Sequence, residues 1–483
     1  MNEMGQAPLF AALVEHKRRS AGNFHLPGHK GNLALPPEMA GLSGRELAAL
    51  DLTELPGLDD LHRPSDVIAR ALALTAEVYG AARSCFLVNG STVGIHALLL
   101  AVGGSGKVLL PRHCHRAVLG GLILSGAEPV YLTPLPLERF GFAAGVSPEQ
   151  VTAALTDRQD VSAILTVRPN YYGVADDLPG QKKAAREAGV PLLVDEAHGA
   201  HLRFHPELPK DAMACGADAA VQSAHKMSLA LTQSAMLHMS NGFPKIPAVV
   251  AALDILQTTS PSYLLMASLD LARRRMALQG AEGLGSALRL ARKTRRRLAD
   301  IKGLTVLTKE YLPPGWSLDE TKLVVATDGL GLTGYQAVEL LADRYRIFLE
   351  MADQTNIVAV LSPASKPEEC DALVAALEDI TRRDRLTPGA RPVLPRFSPP
   401  EPVIRMKPRD AWFAAREGIP LELACGRICA ESAAVYPPGV PAVYPGEEIT
   451  PATLEYLLAV RKLNLPSHGS SDPMLKTIEV VIE

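Results

Sequence analysis

Leu192-Leu193-Val194-Asp195-Glu196-Ala197-His198 is an aliphatic run that ends abruptly in charge. Uninterrupted apolar residues mark a strand covered on both faces, as in parallel sheets. A carboxylate at the C-terminal end of such a strand stands at the sheet edge where open α/β folds bind their ligands. Taken alone, Asp195 could equally cap a helix or turn. The next apolar run, 219–222, ends in the same way, in Ser223-Ala224-His225-Lys226, and the mostly apolar 227–231 follows it. Burying a lysine there favours its uncharged amine, the form that condenses with a carbonyl to a Schiff base. A salt-bridged structural lysine is the competing reading.

Around these two runs, from about Asp66 to Met239, short aliphatic segments alternate with amphipathic stretches. That is the pattern of parallel strands joined by crossover helices, so the core is read as α/β. Seven strands are expected, at 85–88, 108–110, 129–132, 163–167, 192–195, 219–222 and 235–238. Asp66 is the expected N-cap of a helix reaching Tyr79, with Gly80 as its stop. Beyond about Asn241 the pattern turns helical, and Arg273, Arg274, Arg275, Arg295, Arg296 and Arg297 are read as a solvated helix face. A smaller α/β region follows, with strands near 323–326, 347–350 and 357–361. Pro388, Pro392, Pro395, Pro399, Pro400 and Pro402 then mark a linker. The expected segments are 1–65, 66–300, 301–390 and 391–483.

Composition narrows the function. The 483 residues are 47% hydrophobic and 21% charged, as in a globular protein of two or three domains. A formal charge of -3 provides no field to draw in nucleic acid or anionic lipid. The longest apolar runs, such as 117–127, reach about half the ~20 residues that a membrane span needs. Six cysteines without a C-x2-C pair fit reduced thiols. Glu3 and Glu15 interrupt the N-terminus, and Lys17, Arg18 and Arg19 follow the apolar stretch, so no secretory signal is read. The expected location is cytoplasmic.

Two further segments fall at strand ends. Asn89-Gly90-Ser91-Thr92 joins a strand to an apolar helix expected to begin near Val93, and helix-terminal N–H groups with two hydroxyls suit a phosphate dianion. A plain helix cap would look the same. Arg112-His113-Cys114-His115-Arg116 places an imidazole where it could stack on a flat ring. A phosphate cradle, a stacking imidazole, a carboxylate for a ring nitrogen and a Schiff-base lysine, in that order, describe a pyridoxal phosphate site. Two decoys fail. Asp195-Glu196-Ala197-His198 spells a helicase box, but the only Gly-Lys pair, Gly106-Lys107, has Ala101 at the first glycine position of a phosphate loop and Val108 after the lysine. His198, His201 and His205 lack the partner spacing of a zinc site, and no metal is expected.

These residues resemble the ornithine/lysine/arginine decarboxylases, pyridoxal-phosphate enzymes of fold type I. The similarity runs through Phe24-His25-Leu26-Pro27-Gly28-His29-Lys30-Gly31, Asp51 with Leu52-Thr53-Glu54-Leu55-Pro56-Gly57-Leu58-Asp59-Asp60-Leu61, and the segments at Asn89, Cys114-His115, Asp195 and Gln222. It continues through Thr258-Thr259-Ser260-Pro261-Ser262-Tyr263, Leu349-Glu350-Met351-Ala352-Asp353, Tyr436-Pro437-Pro438-Gly439-Val440-Pro441 and Tyr444-Pro445-Gly446-Glu447. Leu26 and Ala224 depart from it, standing where many members have threonine.

The resemblance implies an aspartate-aminotransferase-like large domain on a mostly parallel seven-stranded sheet, a small α/β domain and a C-terminal α+β domain. It implies that Lys226 holds the cofactor covalently, that Asp195 pairs with the pyridine nitrogen, that Gly90, Ser91, Thr92 and Ser223 bind the phosphate, and that His115 stacks on the ring. His225 and His198 are both candidates for orienting the imine or supplying the final proton. Glu431 is the candidate for the distal cation of a basic amino acid, with Glu350 and Asp353 as runners-up. The active site would lie in a homodimer or higher homo-oligomer with shared sites, where Thr258, Thr259 and Ser260 reach the partner's cofactor. The motif near the N-terminus matches the short form without a receiver-like domain, which points to polyamine synthesis and favours arginine over lysine or ornithine. An aminotransferase or lyase on the same cofactor residues, or an inactive regulatory homologue, are the alternatives.

Overall fold

The computed structural model describes residues 3–19, 45–104, 106–156, 158, 160–383, 401–435, 440–463, 465 and 467–482. The motif at 24–31, the residues 436–439 and the prolines from 388 to 400 lie outside them. The chain divides into two compact units, Met1–Leu98 with Leu193–Glu282, and Leu99–Leu192 with Gly283–Glu483. All seven expected strands form, at Arg83–Leu87, Lys107–Pro111, Glu128–Leu132, Val161–Val167, Leu192–Asp195, Ala219–Gln222 and Ala235–Met239.

In the first unit the strand order is Arg83–Leu87, Ala235–Met239, Ala219–Gln222, Leu192–Asp195. Leu192–Asp195 and Ala219–Gln222 are parallel, whereas Ala235–Met239 runs antiparallel to both its neighbours. The reversal has a local cause: only the short helix Ala224–Met227 separates Gln222 from Ala235, which is too little for a helical crossover. In the second unit Val161–Val167, Lys107–Pro111 and Glu128–Leu132 are parallel neighbours, so the strands are mostly parallel.

The helix entering the first unit, Val67–Tyr79, stops at Gly80 in the left-handed region as expected, but its start differs. Asp66 occupies the N-cap position without making a side-chain cap bond. Asp59, itself at φ 68, takes over: its carboxylate accepts the N–H groups of Ser65, Asp66, Ile68 and Ala69. Burial opposes ionisation of Asp59, yet the backbone donors from Ser65 onward outweigh it and hold the carboxyl below its usual range.

The basic helix, Tyr263–Ala299, is also not a uniformly solvated face. Arg273 is fully buried, bonded to Asp270 and to the carbonyls of Met4 and Gln6. Arg295 is buried as well and donates to the carbonyls of Leu307 and Lys322. A guanidinium carries five donors on an apolar stem, so it can gather carbonyls that no ladder satisfies.

The small antiparallel sheet is ordered Thr305–Val306, Lys322–Ala326, Asn356–Val360, Met351–Ala352. The strand expected at 347–350 is displaced. Helix Gly334–Tyr345 ends at Arg346 in the left-handed region with Ile347 N donating to Leu341 O, so these residues terminate the helix before the strand can begin at Met351. The C-terminal region is α+β: Arg416–Pro420 pairs with Thr477–Val481, Ala433–Val435 pairs with Val440–Val443 and Ser467–His468, and helix Pro451–Lys462 covers them. No helix among the described residues is long and apolar enough to cross a membrane.

Candidate active site

The strand Arg83–Leu87 leads into helix Gly90–Val102, with Gly90 turning the chain at φ 77. The helix starts three residues earlier than expected, so Gly90, Ser91 and Thr92 make up its first turn, where N–H groups have no partner within the helix. Gly94 lets the helix press on the sheet. A Cβ there would stand 2.7 Å from Leu87 Cδ1 and 2.9 Å from Val221 Cγ1. The turn is clamped by side chains from elsewhere in the unit: Val88 N donates to Gln257 Oε1, Val88 O accepts from Gln233 Nε2, and Thr258 N donates to Asn89 Oδ1. Ser223 Oγ donates to Ser91 Oγ at 3.0 Å, which joins the two hydroxyl-bearing segments into one cradle.

Asp195 is paired in register with Val221, so its strand end lies beside the one that leads to Ser223. The carboxylate is buried and accepts Ala197 N at 3.1 Å. Lys226 sits on the helical turn Ala224–Met227, and its Nζ lies 2.9 Å from His198 Nε2. His225 is directed elsewhere, with Nδ1 3.1 Å from Ser234 O. The sequence left these two histidines unranked, and the geometry distinguishes them: His198 meets the lysine amine, while the Nδ1 side of His225 is spent on the backbone.

A buried carboxylate, an amine held by an imidazole, two linked hydroxyls and a free helix first turn thus meet at one strand-end edge of the first unit. The set fits pyridoxal phosphate, whose ring nitrogen, aldehyde and phosphate need these group types. A family model described as Orn/Lys/Arg decarboxylase, major domain, matches residues 7–369, and one described as its C-terminal domain matches residues 395–469. The chain belongs to the Orn/Lys/Arg decarboxylase family. Its cofactor is pyridoxal phosphate and its chemistry is that of a decarboxylase. Two arginine decarboxylases, from Bacillus subtilis (strain 168) and Bacillus anthracis, are 38% identical to this decarboxylase over 99% of the chain and 98% of their own lengths. Lysine decarboxylase A from Pseudomonas aeruginosa shares the fold, with a TM-score of 0.83 at 22% identity over 98% of this chain and 80% of that one.

The remaining predicted residues of this decarboxylase lie in the second unit. His115 caps helix Arg116–Ser125, and Ala117 N donates to its Nδ1 at 3.1 Å, which fixes the ring. Glu431 is buried, and burial raises its carboxyl pKa although Ser471 N and Glu479 N both donate to it. Asp353 is bonded more heavily, by Tyr172 OH, Thr355 N, Asn356 N and Asn356 Nδ2. Glu350 is exposed. Sequence reasoning missed the pair Arg112 and Glu447, which meet in a buried two-pronged ion pair. Both lie in segments that carried the family resemblance, but nothing in the sequence couples them.

Two buried histidines make the fold acid-sensitive. Burial pushes His113 down to about 4, and burial with the Arg203 charge pushes His238 down to about 3. Between those values and the ordinary 6.5, the unfolded chain binds protons that the folded one refuses, so stability falls as pH falls. From pH 7 to pH 5 the expected loss is about 2 kcal/mol per histidine. Asp176, raised to about 6 by burial, works in the opposite sense. Comparing urea midpoints of wild type and His113→Phe at both pH values isolates the histidine: the variant should lose less on acidification, and equal losses would refute the assignment.

Proposed function

We propose that this decarboxylase converts arginine to agmatine, as a cytoplasmic homodimer that serves polyamine synthesis. The reading is carried by the contact of Lys226 Nζ with His198 Nε2 at the edge shared by Asp195 and Ser223. Relatives named arginine decarboxylase, 36% to 38% identical over nearly the full length, support arginine as the substrate, whereas lysine decarboxylases from Pseudomonas aeruginosa and Escherichia coli stand at 24% and 25%.

When bound, pyridoxal phosphate supplies an electron sink for the pair left by departing carbon dioxide. The chain's own residues bind and orient it. Lys226 would carry it covalently, and Asp195 would hold its ring nitrogen by a fixed negative charge. Gly90, Ser91, Thr92 and Ser223 would hold the phosphate, and the family resemblance assigns His115 to the ring. His198, in contact with the lysine amine, holds the proton that Lys226 exchanges with the substrate. For the distal guanidinium we keep Glu431, which is buried and accepts two backbone N–H groups, over Asp353, which accepts four donor groups, and over the exposed Glu350. In the homodimer Thr258, Thr259 and Ser260 would reach the partner's cofactor. The division at about 390 is supported by a separate apolar core in Leu421–Val480, whereas the one at about 300 is crossed by a core that packs Phe140, Tyr172 and Val174 with Trp316, Val324 and Val358.

The test is mass-spectrometric product identification after incubating the cofactor-loaded protein separately with arginine, lysine and ornithine. Agmatine should dominate. Cadaverine or putrescine in its place would overturn the substrate, and a keto acid or cleaved side chain would overturn decarboxylation of these substrates.

A further inference from the structure

Glu196 follows Asp195, one residue past the strand Leu192–Asp195. It is fully buried. Its Oε1 accepts Ala212 N at 2.7 Å, and its Oε2 accepts Gln222 Nε2 at 2.7 Å. Gln222 Oε1 lies 3.1 Å from His238 Nε2, and His238 Nδ1 lies 2.8 Å from Ser84 Oγ. Ser84 and His238 are directly opposed in register, so the four side chains form a file across the four strands of the first unit.

Hydrogen-bond chemistry gives the file one direction. With its Nε2 donating to a carboxylate, Gln222 can offer only an acceptor to His238. His238 therefore donates from Nε2, Nδ1 accepts, and the Ser84 hydroxyl donates into it. The neutral imidazole that this needs is the form burial enforces. The Tyr79 ring stacks on His238 with centroids 4.3 Å apart, and its hydroxyl donates to Ala200 O, two residues past His198. Glu196 and Gln222 each adjoin a cofactor-site residue, Asp195 and Ser223. The bond between them adds a side-chain tie to the backbone bond from Glu196 N to Val221 O at the same strand ends.

We propose that Ser84, His238, Gln222 and Glu196 are a positioning relay that fixes the spacing between Asp195 and the turn bearing Ser223 and Lys226. The proposal rests on the reading of Asp195 and Lys226 as cofactor-binding residues. None of the four is among the residues read as cofactor-binding. They act through their neighbours, and a displacement of an ångström at such groups costs up to about a hundredfold in rate.

The experiment compares His238→Leu, which removes donor and acceptor, with His238→Gln, which keeps one of each, in full-length protein titrated with pyridoxal phosphate. His238→Leu should lower kcat about tenfold, weaken cofactor binding by a similar factor, and shift the pH at which the visible cofactor band interconverts, with KM for substrate changed less than twofold. His238→Gln should restore all three. If His238→Leu lowers only the melting temperature and keeps wild-type cofactor affinity and band titration, or if Gln fails to rescue, the proposal is overturned. Should the leucine variant not fold, Ser84→Ala against Ser84→Thr reads the same quantities at the far end of the file. Wild-type protein with no visible band, or a band that survives Lys226→Ala, would overturn the cofactor reading itself. A wild-type band lost in Lys226→Ala leaves that reading standing whatever His238 does.

Discussion

Lys226→Ala is expected to lower kcat for decarboxylation by a factor on the order of 10^4 or more and to abolish the visible band of the cofactor-loaded protein. The argument is geometric. Lys226 Nζ lies 2.9 Å from His198 Nε2, so this amine at the edge of the first unit is held by a group that can exchange its proton. Alanine removes the covalent anchor and leaves Asp195, Ser91 and Ser223 to hold the cofactor by charge and hydrogen bonds alone. Asp195→Asn is a graded comparison, because it keeps the shape and removes the charge, and should cost about 10^2 to 10^3 in kcat. Stopped-flow and steady-state measurement of product amine check both. If Lys226 were a structural lysine, its alanine variant would melt earlier yet turn over normally, and that result would refute the site.

The second large effect is on stability. Glu447→Ala should cost about 3–5 kcal/mol, because it strands Arg112 as a buried, unpaired cation. Arg112 is buried against the near-parallel rings of Tyr131 and Tyr444, with its guanidinium carbon 4.7 Å and 4.5 Å from their centroids, and it meets Glu447 through both terminal nitrogens. The Glu447 carboxylate also accepts Tyr444 N at 3.0 Å, so its loss loosens the ring as well as the charge. Although burial opposes it, the Glu447 charge leads the contacts that raise the Arg112 pKa further, so the guanidinium cannot escape by deprotonating. Urea unfolding followed by circular dichroism measures the cost. The double variant Arg112→Met with Glu447→Leu should recover most of it, since two apolar groups leave no stranded charge. A Glu447→Ala variant within 1 kcal/mol of wild type would contradict the arrangement.

Much of this was legible beforehand wherever a local rule was enough. Aliphatic runs gave the seven strands at close to their observed limits, because a strand covered on both faces is mostly apolar and admits a polar side chain only where a partner such as that of Ser84 and His238 is at hand. The same reasoning put Asp195 and Lys226 at strand ends. Local rules failed where a group outside the short pattern being read took over a role. Asp66 has the right residue type and position for a cap, but Asp59 reaches its N–H groups from a left-handed turn. Arg273 looks like any solvated arginine until the carbonyls of Met4 and Gln6 claim it. The strand expected at 347–350 gave way to the closing turn of the preceding helix.

By itself the sequence determined the α/β class, the family, the cofactor and the residue types at the site, since all of these follow from pattern and motif order along one chain. The tertiary structure alone decided which histidine meets Lys226, that Asp353 is consumed by Tyr172 and Asn356, and that Glu447 neutralises Arg112. The division has a physical reason. Backbone preference and apolar periodicity act over a few neighbouring residues and are written in them. A hydrogen bond or an ion pair depends on where two separate stretches come to rest, and folding, not local sequence, fixes that distance.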